Sequence, residues 1–247
     1  MKKTAILVQA RSRSTRLPQK CFLQLPESSN QCIIDWVYYR LSSTKIDVWF
    51  LVPENDQLIQ EYLIKSKINF LTGPEDDVRS RYRMAAEKLE LDWIVRATAD
   101  NPFVDPAHLV LSVQQIETLN CDLFSFSGLP LGLGVEVFSR VALCREIEPI
   151  LPMHREHVSL HIKHFPEKFK VVHQPSQMIL DLNQTTSTAF EKIRLTIDEK
   201  SDYNTALKIA KYLPIDFELH QLINLFELKP ELFEENQNIE QRRFYRQ

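Results

Sequence analysis

Short apolar runs alternate with amphipathic stretches through the first half of the chain. Residues 5–9 read as a buried strand followed by a basic loop, and residues 33–41 as a helix. A strand at 47–52 is ended by Pro53, and 56–67 reads as a helix. The strand at 68–71 is stopped by Gly73-Pro74, and 76–89 carries apolar residues at helical spacing. Residues 92–98 form a strand closed by a polar turn. The helix at 106–118 opens with Pro106, which the first turn of a helix tolerates. This alternation predicts an α/β fold, a mainly parallel sheet with helices on both faces. Ligands of such sheets bind beyond the carboxyl ends of the strands.

The pattern loosens from about Leu123. Strands at 123–126 and 135–138 bracket a turn holding Gly128, Gly132 and Gly134, three of the four glycines in the chain. A His-rich helix is predicted near 156–163, with strands at 169–173 and 178–182, a core strand at 193–197 and a helix at 201–212. The tail from Phe217 reads as helical, then increasingly polar. No repeat or low-complexity linker divides the chain, which predicts a single domain over 1–247 with a small inserted flap at about 125–190.

Composition narrows the classes. Thirty Lys and Arg against 33 Asp and Glu give a net charge of −3, which offers no broad field for nucleic acid or an anionic membrane. An anionic ligand must therefore be held by a local site. The apolar run after Met1-Lys2-Lys3 stops at Gln9, too short for a secretory core, and no stretch reaches the ~18 apolar residues of a membrane span. Cys21, Cys32, Cys121 and Cys144 are widely spaced and form no CxxC, which favours buried thiols in a reducing, cytosolic compartment.

The loop after the first strand is the sharpest chemical feature. Between Gln9 and Lys20 lie Arg11, Arg13, Arg16 and Lys20, interleaved with Ser12, Ser14 and Thr15. Guanidinium forks and an ammonium point charge are the groups that hold a triphosphate, and they stabilise a departing pyrophosphate. A charge run is ordinarily a solvated face. Placement at a strand's carboxyl end, with Pro18 fixing the exit, favours the anion site. Asp100 follows another strand and Asp198 ends an apolar run. Either carboxylate alone reads as a turn cap. Together, beside a phosphate-type loop, they read as a metal pair, because Mg²⁺ favours one or two carboxylates completed by phosphate oxygens and water.

The segments Gln9-Ala10-Arg11 and Ser14-Thr15-Arg16-Leu17-Pro18 with Lys20 resemble the nucleotide loop of cytidylyltransferases that make CMP-activated sugars. The spore coat polysaccharide branch, related to the KDO and acylneuraminate cytidylyltransferases, is most similar. Further matches are Glu75-Asp76-Asp77-Val78 through Arg81-Tyr82, Thr98 with Asp100, Pro102 and Val104-Asp105-Pro106, Val135-Glu136-Val137-Phe138-Ser139, Arg155-Glu156-His157-Val158, Leu195-Thr196-Ile197-Asp198, and Lys229-Pro230-Glu231-Leu232 with Asn236. The resemblance implies a Rossmann-like nucleotide-diphospho-sugar transferase fold, CTP and a small polar acceptor as partners, Mg²⁺ as cofactor, and a homodimer built through the 125–190 region. It places Ala10, Arg11, Arg16, Lys20 and Arg81 on the nucleotide, and Asp100 and Asp198 on the metal. Lys20, Arg16 and Asp100 take catalytic roles, and Glu136, Arg155 and His157 face the acceptor.

Some positions depart from that pattern. The family has glycine where Arg13, Gln19 and Ala99 stand, and an acidic or amide residue where Gly134 stands. The replaced glycines favour, as an alternative, a nucleotide-binding protein of weakened turnover. A glycosyltransferase on the same type of fold is a second alternative, against which stands the lack of an Asp-x-Asp pair after the strand leading to Asp100. His154, His157, His161 and His164 recur at helical spacing, but no Cys or acidic ligand completes a zinc set, so they are expected on the surface or beside the acceptor.

Overall fold

β1 (Thr4–Gln9) runs through the sheet with β2 (Asp47–Pro53) and β4 (Trp93–Thr98) parallel to it on either side. The computed structural model that shows this describes residues 2–239. β3 (Phe70–Gly73) adds a parallel edge beyond β2. On the far side, β6 (Glu136–Ser139) pairs antiparallel with both β4 and β5 (Leu123–Ser127), and β7 (Val171–Pro175) lies parallel to β5. The seven strands stand in the order β3-β2-β1-β4-β6-β5-β7, so the sheet is mainly parallel with β6 reversed.

Both faces of the sheet are covered, which is why its strands read as continuous apolar runs. Ile6, Val8, Phe50, Val52 and Val95 face α1 (Ile33–Ser42), α2 (Gln57–Lys65) and α4 (Pro106–Leu119) through Ile34, Val37, Ile59, Leu63 and Leu109. Ala5, Leu7, Leu51, Ile94 and Phe138 face α3 (Val78–Lys88) and α5 (Arg140–Cys144) through Tyr82, Ala85 and Ala142. Each fully buried Ile, Leu or Val contributes roughly 1.5–3 kcal/mol, so β1 alone is a strong anchor for the loop that leaves it.

A third core lies outside the sheet. α9 (Gln184–Glu191), α10 (Lys200–Ala210), α11 (Leu219–Leu228) and a 3₁₀ turn at Pro230–Phe233 bury Phe190, Ile209, Leu222, Phe226 and Phe233. Leu17, Phe103 and Leu133 join this core from three different loops, so it grips the segments around the carboxyl ends of the strands.

Four expectations are corrected. The predicted His-rich helix is two short ones, α6 (Pro152–Glu156) and α7 (Leu160–His164), broken where Ser159 turns its hydroxyl to Glu136. Three of its histidines pack inside rather than on the surface. His154 and His164 pair ring to ring at 3.1 Å, and His161 lies between the Val158 and Ala142 carbonyls. Residues 178–182 fall on α8 (Gln177–Leu180), not a strand, because so short an apolar run fits either period. Residues 193–197 are extended but join no strand of the sheet. They hydrogen-bond loops instead, Leu195 N to Leu131 O at 2.8 Å and Ile197 N to Asp100 O at 2.9 Å. Among the described residues no helix is long and apolar enough to cross a membrane, and all four cysteines are free thiols.

Candidate active site

The basic loop is anchored at both ends. Asp56, itself buried, accepts the Ser12 amide at 2.7 Å and the Ser12 hydroxyl at 2.6 Å, while Leu17 inserts into the third core. Arg11, Arg13 and Arg16 are left exposed between these anchors. Arg11, Arg13, Asn55 and Glu75 line a cleft of about 640 Å³ beside the loop. Gln19 then takes a left-handed conformation, φ 52°, which favours glycine, so the chain keeps the turn where it has lost the residue.

That turn delivers Lys20 to a carboxylate pair. Its ammonium donates to Asp100 Oδ2 at 2.7 Å, Asp198 Oδ1 at 2.9 Å and the Ile197 carbonyl at 2.8 Å. Arg16 lies 3.1 Å from Asp198 Oδ1. Thr98 Oγ1 donates to Asp100 Oδ1 at 2.5 Å, and Arg194 donates to Asp198 Oδ2 at 2.8 Å. Burial alone would lower the Lys20 pKa, but Asp100 and Asp198 hold it above its ordinary value. Burial alone would raise that of Asp198, but Lys20, Arg16 and Arg194 hold it below.

Behind the pair lies a layer that the sequence does not disclose. Arg194 also donates to Asp202 Oδ1 at 2.8 Å, and Asp202 Oδ2 accepts the amides of Asp198 and Glu199. Asn236 donates to both the Arg194 carbonyl and Asp202, tying the C-terminal segment to the site. The spacing from Glu199 to Asp202 marks a helix start, the one local signal for this network. Asp56 carries no comparable signal.

Of the nucleotide candidates, Ala10 is buried and donates its amide to Leu51 O at 3.1 Å. Arg81 stands on α3, 3% exposed, with Arg11, Glu75 and Asp77 acting on its charge. Its Nε and Nη1 are buried without a hydrogen-bond partner, as are Gln9 Oε1 and Asn101 Oδ1 at the ends of β1 and β4. Buried donors and acceptors of this kind are costly unless a ligand satisfies them.

The acceptor candidates divide. Register places Arg96, Glu136, Ser125 and His173 side by side across β4, β6, β5 and β7, on one face of the sheet. Glu136 accepts from Lys163 Nζ at 2.6 Å and lies 3.5 Å from Arg96, and Ser125 meets His173 Nδ1 at 2.8 Å. Burial alone would raise the Glu136 pKa, but Lys163 and Arg96 hold it down at about 2. His157 lies close enough for these charges to act on it. Burial, with Arg96 and Lys163, keeps its pKa below the ordinary value. Arg155 is exposed on α6, and the structure does not bring it into this row.

The carboxylate pair fits a divalent cation in its donor chemistry. Two oxygens from separate segments converge on one point, where the Lys20 ammonium stands in for a cation. Among the described residues no group of three or more His, Cys, Asp or Glu side chains forms a protein-only cage. Two carboxylates are the share a protein commonly gives to a cation that also binds phosphate.

Comparison with known proteins places the chain in a family and a fold. The model of the cytidylyltransferase family matches residues 5–247. The spore coat polysaccharide biosynthesis protein SpsF of Bacillus subtilis is 28% identical over 208 residues, 81% of this chain and 82% of that protein. A cytidylyltransferase from Leptospira borgpetersenii superposes with a TM-score of 0.81 at 28% identity, covering 98% of this chain and 100% of that one. The CMP:2-keto-3-deoxy-manno-octonic acid synthetase solved with CTP shares the fold, with a TM-score of 0.54 at 14% identity over 70% of this chain and 90% of that one.

Proposed function

The chain belongs to the cytidylyltransferase family, and from that premise we propose that it transfers CMP from CTP to a sugar or related small polar acceptor, releasing pyrophosphate, in the synthesis of a cell-surface polysaccharide or glycoconjugate. The observation that carries this reading is the seating of Lys20 between Asp100 and Asp198, with Arg16 alongside, where the basic loop ends. Arg11, Arg16 and Lys20 bind the triphosphate. Ala10 and Arg81 are assigned to the base, and the two buried Arg81 donors without a partner support a ligand group there. The fold relative that binds CTP and the relative named for spore coat polysaccharide support the donor and the destination.

In the reaction the acceptor oxygen attacks the α-phosphorus, and the bond from that phosphorus to the α–β bridging oxygen breaks. The electron pair leaves on pyrophosphate, where Arg16 and Lys20 offset the growing charge. Mg²⁺ held by Asp100 and Asp198 would screen the phosphate oxygens and ease ionisation of the acceptor hydroxyl. Glu136, with a pKa of about 2, is too weak a base to take that proton near neutrality, so the proton leaves to solvent water. Glu136 orients instead, fixing Lys163 and Arg96 along the acceptor wall beside His157. The insertion at about 125–190 also serves as the homodimer contact, which its exposed Leu131, Met178 and Leu180 support.

Thermal denaturation tests the donor. CTP with Mg²⁺ at about 100 times its Kd stabilises by ~2.7 kcal/mol, which raises Tm by about 5 °C or more for a chain of this size. ATP and GTP should give smaller shifts. Equal shifts with every nucleotide overturn the cytidine assignment, and no shift with any of them overturns the transferase reading.

A further inference from the structure

One buried polar chain lies outside the site described so far. Asp105 caps α4 by accepting the His108 amide at 2.9 Å, and the same oxygen accepts His108 Nδ1 at 2.7 Å. Because a carboxylate only accepts, Nδ1 carries a proton, and Ser176 Oγ completes the chain at Nε2, again at 2.7 Å. The order Ser–His–Asp is that of a hydrolytic relay. Here Ser176 is 0% exposed and His108 5%, so no substrate reaches the hydroxyl. The chain must act on the protein itself.

What it joins is informative. Ser176 lies between β7 and α8, in the insertion, and its amide donates to Ser127 O at 3.2 Å. Asp105 ends the loop that starts at Asp100. From Asp105 a circuit of backbone bonds runs round the carboxylate pair. Asp105 N donates to Leu133 O at 2.8 Å, Leu195 N to Leu131 O at 2.8 Å, and Ile197 N to Asp100 O at 2.9 Å. The circuit is tight at Gly132, where a Cβ would sit 2.5 Å from Thr196 N.

We propose that Asp105, His108 and Ser176 are positioning residues: their relay locks the insertion against the 100–105 loop and so holds the backbone circuit that seats Asp100 and Asp198. The inference rests on the reading of those two carboxylates as the reacting site, but its test does not.

Hydrogen exchange on the ligand-free protein provides that test. S176A removes the relay's last donor at little cost in volume, and S176C keeps a weaker donor on a side chain at least as large. A relay predicts faster exchange of the Leu195 and Ile197 amides, which do not touch Ser176, by about tenfold in S176A and about threefold in S176C. The order S176A above S176C above wild type follows donor strength and not side-chain bulk. If S176A does not fold, the threefold change in S176C carries the test alone. Exchange that quickens only beside residue 176, with Leu195 and Ile197 unchanged, overturns the proposal. Because no nucleotide is present, that result is distinct from a failure to bind CTP.

Discussion

Two charge clusters sit near the carboxyl edge of the sheet, and they are built in opposite ways. Around Lys20, two carboxylates share one ammonium, and each comes from a segment without regular secondary structure. Around Glu136, one carboxylate serves two cations, and strand register fixes its place opposite Arg96. In the proposed mechanism the first arrangement is exchangeable, another cation taking the place of the ammonium and freeing Lys20 for phosphate. The second is fixed, because moving Glu136 would mean moving β6. In the proposed reaction the first cluster meets the changing charge, and the second forms the unchanging wall.

Breaking the fixed cluster should have the largest effect on stability. E136Q leaves Arg96 and Lys163 half-buried without a counter-charge, and a loss of roughly 2–3 kcal/mol in urea denaturation is expected at pH 7. Glu136 is depressed from its ordinary 4.5 to about 2. Its contribution is therefore complete well above 4.5 and is lost as pH falls toward 2. The gap between wild type and E136Q should shrink by more than half by about pH 3. A gap that stays constant across that range would show that Glu136 acts by packing instead of charge.

The exchangeable cluster predicts the reverse separation. K20M should change stability by about 1–2 kcal/mol, because Arg16 and Arg194 still offset Asp198 and Thr98 still donates to Asp100, yet weaken CTP binding by about 10–100-fold in calorimetry. A variant that unfolds, while what stays folded binds CTP at wild-type affinity, would make Lys20 a structural strut and erase the contrast. The smallest effect belongs to Gln19. Q19G relieves left-handed strain but frees the unfolded chain, so a gain of no more than about 1 kcal/mol is expected in the same denaturation series. A loss larger than that would mean the Gln19 side chain itself holds the phosphate loop.

The same contrast governs what could be read from the chain. β1, β2 and β4 are buried on both faces, so their apolar runs between turn signals were plain, and the mainly parallel sheet followed from them. Asp100 and Asp198 stood out because each follows an apolar run, and Lys20 because it closes the basic loop after β1. The runs themselves were less uniform than they looked, since the one before Asp198 bonds to loops and not to the sheet. Between residues 140 and 180 the elements are short, four or five residues in α5 through α8, and periodicity has too few turns to decide between helix and strand. Lys163 and His173 escaped notice because their relation to Glu136 depends on how α7 and β7 fold back. Asp202 and Asp56 were hidden because a cap and an anchor look alike in a sequence.

The reversal of β6 has a topological consequence. In a wholly parallel sheet a strand's first residue sits at the edge opposite the site, and only its last can reach the chemistry. Because β6 runs against β4, the chain enters it at the carboxyl edge, and its opening residue Glu136 lies beside Arg96, four residues short of Asp100. The connection from β5, with its three glycines, turns over at that same edge. Because Leu131 and Leu133 of this connection also accept the amides of Leu195 and Asp105, its length couples the wall around Glu136 to the backbone beside Asp100 and Asp198, and neither can be reshaped without moving the other.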